Sequence, residues 1–211
     1  MTGSLSPLGV VLAGGASRRF GAPKALAAVG GRRIVDRVRG VLAEVTDVVV
    51  VSGALPLDGA GSMPDTRAGL GPLGGVLTAL RRAGAEGRPG VLVAGCDMPF
   101  LDPALFRLLG TRGAESGAAA VVPASGGRRG FEPLCAWYSV RAIAALEGMA
   151  DAGVLGLHRL AERAEVEVIP LGEVRAIGDP ERLFFNDNTM DDLREAEMLE
   201  RRVLPAHDDG G

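Results

Sequence analysis

Short apolar runs alternate along the chain with segments whose apolar residues recur at helical spacing. Gly9–Leu12 carries Val10, Val11 and Leu12 in succession, the pattern of a strand covered on both faces. Ile34, Val35, Val38, Val41, Leu42 and Val45 then recur every three or four positions, which predicts an amphipathic helix over 32–45. Its polar side holds Arg32, Arg33, Arg37, Arg39 and Glu44, read as a solubilising face. The all-valine run Val48–Val51 completes a strand–loop–helix–strand unit. Such a unit crosses over right-handed and puts the loop after its first strand at the C-terminal edge of a parallel sheet.

The remainder extends the alternation. Residues 53–71 read as a loop with one short strand before Pro64, and Pro72 opens a helix through Val76, Leu77 and Leu80. Val91–Ala94 is a third strand, and Asp102-Pro103 supplies an N-cap and first turn for a helix carrying Leu105, Phe106, Leu108 and Leu109. Strands follow at Ala118–Val122 and Phe131–Tyr138, helices at Val140–Leu146 and Val154–Ala164, and a strand at Val166–Ile169. A loop is expected through Pro180; Thr189 and Asp192 are spaced to cap a last helix ending near Val203. The chain reads as one α/β domain over residues 8–204, with 1–7 and 205–211 as flexible termini.

Composition narrows the class. A hydrophobic content of 47% excludes global disorder, and 23 basic against 26 acidic residues, a net charge of −3, exclude a general nucleic-acid binder. A local cationic pocket remains compatible with that balance. Cys96 and Cys135 form no metal motif and sit in apolar settings that favour buried thiols. No apolar stretch spans a bilayer and no leader precedes the first strand, so no membrane association is expected and a cytoplasmic location is.

The chemistry gathers at strand ends. Gly14 and Gly15 expose backbone N–H groups beside Arg18, Arg19 and Lys24, a combination that suits a polyphosphate. It is neither GxxxxGK[ST] nor GxGxxG, and with 32 glycines in the chain an ordinary loop with surface arginines is also open. Gly71, Gly74 and Gly75 would admit a flat ligand group or tight helix–sheet packing equally well. Asp97, directly beyond the third strand, is the candidate Mg²⁺ ligand, or else a cap or turn residue before Pro99. Arg128 and Arg129 fit an anionic second substrate or plain solvation; Glu132 fits a hydroxyl or one of those arginines. With only His158 and His207 available, and no GxSxG, hydrolase chemistry has little support. Phosphoryl or nucleotidyl transfer needs no histidine, because a phosphate nucleophile is already ionised.

Leu12-Ala13-Gly14-Gly15 with Arg18, Arg19, Gly21 and Lys24, then GPLGG at 71–75, CDMP at 96–99, EPL at 132–134 and NDNTMDDL at 186–193, resembles the molybdenum cofactor guanylyltransferases. The resemblance implies a Rossmann-like, three-layer α/β/α nucleotidyltransferase fold with a mostly parallel central sheet. It implies transfer of GMP from MgGTP to the terminal phosphate of molybdopterin or molybdenum cofactor, releasing pyrophosphate. By motif position, Leu12, Ala13, Gly14, Gly15, Lys24, Ser52, Asp65 and Asp97 would contact the nucleotide. Asp97 would hold Mg²⁺, and Arg19, Lys24, Asn186 and Asn188 would serve the transferring centre. The resemblance also implies molybdenum-insertion and molybdoenzyme maturation proteins as candidate partners. Ala22-Pro23 before Lys24, Ser52 in place of an asparagine and Asp187 between the two asparagines bear on base choice. The alternatives are a related CTP- or other NTP-dependent transferase acting on a phosphorylated small molecule or sugar, and a non-catalytic nucleotide sensor.

Overall fold

The computed structural model describes residues 6–13, 27–53, 61–186 and 190–201. In chain order these form β1 (Leu8–Leu12), β2 (Ala28–Val29), β3 (Arg32–Arg33), α1 (Ile34–Ala43), β4 (Val49–Ser52), β5 (Gly61–Met63), α2 (Pro72–Ala85) and β6 (Gly90–Gly95). There follow α3 (Pro103–Glu115), β7 (Ala120–Pro123), β8 (Cys135–Ser139), α4 (Ile143–Asp151), β9 (Val166–Ile169), α5 (Leu171–Ile177), α6 (Pro180–Leu183) and α7 (Met190–Arg201).

Seven strands make one sheet in the order β5-β4-β1-β6-β8-β7-β9. Only β8 runs against its neighbours in that sheet; β5, β4, β1 and β6 are mutually parallel, as are β7 and β9. The alternation of side chains along a strand divides the apolar residues between two layers. Leu8, Val10 and Leu12 of β1 join the cluster under α2 and α4, whereas Val11 joins the one under α1 and α3. The result is a three-layer α/β/α molecule with a mostly parallel central sheet.

Sequence periodicity places most elements to within two residues, and the differences have local causes. The helix expected over 32–45 starts at Ile34, because Arg32 and Arg33 pair with Val29 and Ala28 in a two-stranded hairpin. Its basic face is also not purely solvated: Arg37 donates to the Val29 carbonyl at 2.8 Å and to Glu200 at 2.6 Å, binding α1 to β2 and α7. The helix expected over Val154–Ala164 is instead a 3-10 segment, Leu157–Glu162, following Gly156. The loop expected through Pro180 contains α5, and α6 opens at its end, capped by Asp179 accepting from the Glu181 N–H at 3.1 Å. The strand expected from Phe131 begins at Cys135, since Glu132-Pro133 makes a turn first. Cys135 is buried, but Cys96 is only partly so, and both are free thiols. Asp102 caps α3 as expected, accepting from the Ala104 N–H at 2.7 Å. Among the described residues no helix is long and apolar enough to cross a membrane.

Candidate active site

The chain leaves β1 for β4 and β5 on one side, then crosses to β6 on the other, so strand order reverses beside β1. Open α/β sheets bind ligands in the crevice at the C-terminal end of such a switch point. The candidate residues that the structure describes lie along this edge.

Leu12 and Ala13 end β1 and are fixed from both sides. The Ala13 N–H donates to Ser52 O at 3.1 Å, and the Cys96 N–H donates to Leu12 O at 3.2 Å. On the β4 side, Ser52 is 2% exposed and its Oγ donates to Asp65 Oδ1 at 2.8 Å. Asp65 is the partner that reaches solvent, and the buried hydroxyl holds its carboxylate in place. Gly75 of α2 makes this possible by its size. A Cβ there would lie 2.6 Å from Ser52 Oγ and 2.7 Å from Leu12 Cδ2, closer than such atoms approach. Gly75 thus answers to helix–sheet packing rather than to a flat ligand.

On the β6 side, Asp97 follows the strand by two residues and folds back over Gly95, where a Cβ would be 2.7 Å from Asp97 Oδ1. The Gly95 N–H donates to Leu134 O at 2.7 Å, which brings the Glu132-Pro133-Leu134 turn alongside. Glu132 accepts from Ser125 Oγ at 3.0 Å. Burial raises the Glu132 pKa from its ordinary value, and the negative charge of Asp97 adds to the rise; Ser125 and Arg129 oppose it. Two carboxylates therefore share one corner.

Beyond Glu132 lies an open recess of about 640 Å³ lined by Gly127, Arg128, Arg129, Phe131, Glu132 and Asn186. Asn186 reaches it from the segment after α6. Sequence reasoning singled out Glu132, Arg128 and Arg129 without placing them, and missed Ser125 and Gly95. The signal for Ser125 was its position seven residues before Glu132, across a glycine-rich hairpin. Gly14, Gly15, Arg19, Lys24, Asp187 and Asn188 lie outside the described residues.

The donor set fits Mg²⁺. That ion takes oxygen ligands, commonly one or two carboxylates completed by substrate phosphates and water. Asp97 with Glu132 beside it offers such a pair, and among the described residues no cluster of three or more His, Cys, Asp or Glu competes as a self-contained metal cage.

Fold and site together define a three-layer α/β protein with candidate site residues gathered at the strand-switch crevice. The family model of the MobA-like NTP transferase domain matches residues 9–168. A probable molybdenum cofactor guanylyltransferase from Pelotomaculum thermopropionicum is 37% identical over 92% of this chain and 94% of its own. A molybdenum cofactor guanylyltransferase from Desulfosudis oleivorans is 34% identical over 90% and 93% respectively. Among solved structures, molybdopterin-guanine dinucleotide biosynthesis protein A from Archaeoglobus fulgidus superposes with a TM-score of 0.78 at 27% identity, covering 92% of this chain and 99% of that one. The chain belongs to the molybdenum cofactor guanylyltransferase family of MobA-like NTP transferases.

Proposed function

We propose that the protein transfers GMP from MgGTP to the terminal phosphate of molybdopterin or molybdenum cofactor. The observation that carries the reading is the placement of Asp97 at the switch-point edge, between the Ser52–Asp65 pair on one side and the Glu132–Asn186 recess on the other. Two substrates can then meet over one carboxylate.

Asp65, held by Ser52, would orient the nucleoside end of GTP. The N–H groups after Ala13, with Lys24 and Arg19, would offset the triphosphate charge. Asp97 would hold Mg²⁺ with Glu132 adjacent, and the ion, when bound, polarises the α-phosphoryl group. An ionised oxygen of the acceptor phosphate forms a bond to the α-phosphorus, and the bond from that phosphorus to the α–β bridging oxygen breaks. The bridging oxygen keeps the electron pair and leaves in pyrophosphate, so the chain needs no general base. Asn186 and Asn188 would donate to the oxygens between which the phosphorus moves.

A CTP- or other NTP-dependent transferase is the alternative, favoured at one point by the shorter reach of Ser52 where an asparagine is expected. The test is incubation of the purified protein with molybdopterin, Mg²⁺ and each of four NTPs, measuring pyrophosphate and pterin dinucleotide. Product with GTP well above the other three is expected. Turnover confined to CTP, or to a different phosphorylated acceptor, overturns the guanylyl assignment.

A further inference from the structure

The connection between β7 and β8 is a built turn. Ala124 and Phe131 form an antiparallel bridge, the Ser125 N–H donates to Gly130 O at 2.9 Å, and the Gly130 N–H donates to Gly127 O at 2.9 Å. Ser125 Oγ then ties the base of the turn to Glu132. Arg128 and Arg129 stand at its tip, exposed, on the wall of the 640 Å³ recess.

Among the described residues Arg32, Arg141, Arg163, Arg175 and Arg182 are, like Arg128 and Arg129, in no ion pair, but Arg128 and Arg129 are adjacent and line the recess. Arg33, Arg37, Arg81, Arg82, Arg88 and Arg112 are each bound to a carboxylate. Among the described residues, no hydrogen bond or ion pair joins Arg128 or Arg129 to an acid, although Glu132 feels the charge of Arg129. Two adjacent guanidinium groups on a hydrogen-bonded turn, hydrogen-bonded to no acid among the described residues and facing a cavity, suit an oxyanion from outside the chain. Sheet order says which one. Ser52 and Asp65 lie on the β4–β5 side of Asp97, and the arginine turn lies on the β8–β7 side, so the two flank Asp97 from opposite directions.

We propose that Arg128 and Arg129 anchor the phosphate monoester of the acceptor, and so select a phosphorylated acceptor over its dephosphorylated counterpart. The inference rests on the nucleotidyl-transfer reading. A guanidinium pair can hold two phosphate oxygens and leave the third directed at the donor.

The test uses the full chain with Arg128→Ala and Arg129→Ala combined, and a second variant with lysine at both positions. Equilibrium dialysis without NTP compares molybdopterin with its phosphatase-treated form. Wild-type protein should prefer the phosphorylated form by about tenfold or more, the range for charge-assisted hydrogen bonds. The alanine variant should lose that preference and the lysine variant regain part of it. In turnover, the alanine variant should show a raised acceptor KM with the KM for GTP within about twofold of wild type. An unchanged phosphate preference overturns the anchor, as does a GTP KM that rises with the acceptor KM, which would assign the arginines to the donor triphosphate. If wild-type protein forms no dinucleotide with any NTP, the transfer reading fails, and the dialysis alone decides whether the arginines hold a phosphate.

Discussion

At Asp97 the local arrangement depends on two neighbours that carry no charge chemistry of their own. Gly95 leaves room for the carboxylate to fold back over the strand end, and Leu134 O takes the Gly95 N–H, bringing Glu132 near. Asparagine at position 97 preserves the shape but removes the negative charge that a divalent ion requires. Asp97→Asn should therefore lower Mg²⁺-dependent turnover by about a hundredfold or more, within the range for losing one electrostatic group in a site. The thermal midpoint should stay within about 2 °C of wild type, because the pocket is unchanged in volume. Turnover equal to wild type would remove Asp97 from the metal-holding role.

Among the elements, α2 sets the depth of the crevice. Leu73, Val76, Leu77 and Leu80 are buried against β1, β4 and β6, while Gly75 lets the first turn sit directly on Ser52 and Leu12. Alanine there meets two atoms at less than 3 Å, and neither can retreat, since Ser52 is held by Asp65 and Leu12 lies in the core. Gly75→Ala should cost about 1–3 kcal/mol by overpacking, read from denaturant unfolding. It should also weaken nucleotide use, because α2 can relieve the clash only by lifting from the ends of β1 and β4, where Leu12 and the Asp65-bonded Ser52 lie. A variant as stable as wild type would mean that the helix shifts freely.

Across the whole molecule, function and stability are anchored at opposite edges of the sheet. Arg88 lies just before β6, only 7% exposed, and its Nη1 donates to Ser6 O and to Asp47 Oδ1, both at 2.8 Å. Its Nε donates to Glu86 at 2.7 Å, so one side chain joins the approaches to β1, β4 and β6. The Arg88 hydrogen bond, supported by Ser6, holds the Asp47 carboxyl far below its ordinary pKa, and Arg82 and Arg88 lower that of Glu86. A carboxylate whose folded pKa is depressed contributes stability that is complete above its unfolded value and is lost as pH falls toward the folded one. Stability should therefore decline from about pH 5 downward. Arg88→Met should remove about 1–3 kcal/mol at neutral pH and flatten that acid limb, with specific activity retained in the folded fraction. Because Asp47 is half exposed, solvent screening places the effect of this pair toward the lower end.

Legibility in the sequence followed the range of the interactions. Apolar periodicity marked β1, α1, β4, α2, β6 and α3 because each buries a face that neighbouring residues alone define. It misread residues 154–164 and 171–180, where short turns depend on packing under the sheet more than on a long apolar stripe. The residues Leu12, Ala13, Ser52, Asp65, Asp97 and Asn186 were identifiable as types at positions, and the family followed from the order of the motifs at 12–24, 71–75, 96–99, 132–134 and 186–193. What they touch was not. The Ser52–Asp65 hydrogen bond spans 13 residues and exists because Gly75 lets α2 close over it. Glu132 sits beside Asp97 only because β8 runs antiparallel, returning the turn before it to the C-terminal edge of β6. The sequence by itself determined most of the elements, the charge inventory and the family. Tertiary structure decided which carboxylates share a corner and which arginines are left facing a cavity, since strand order and direction bring together residues that no local spacing relates.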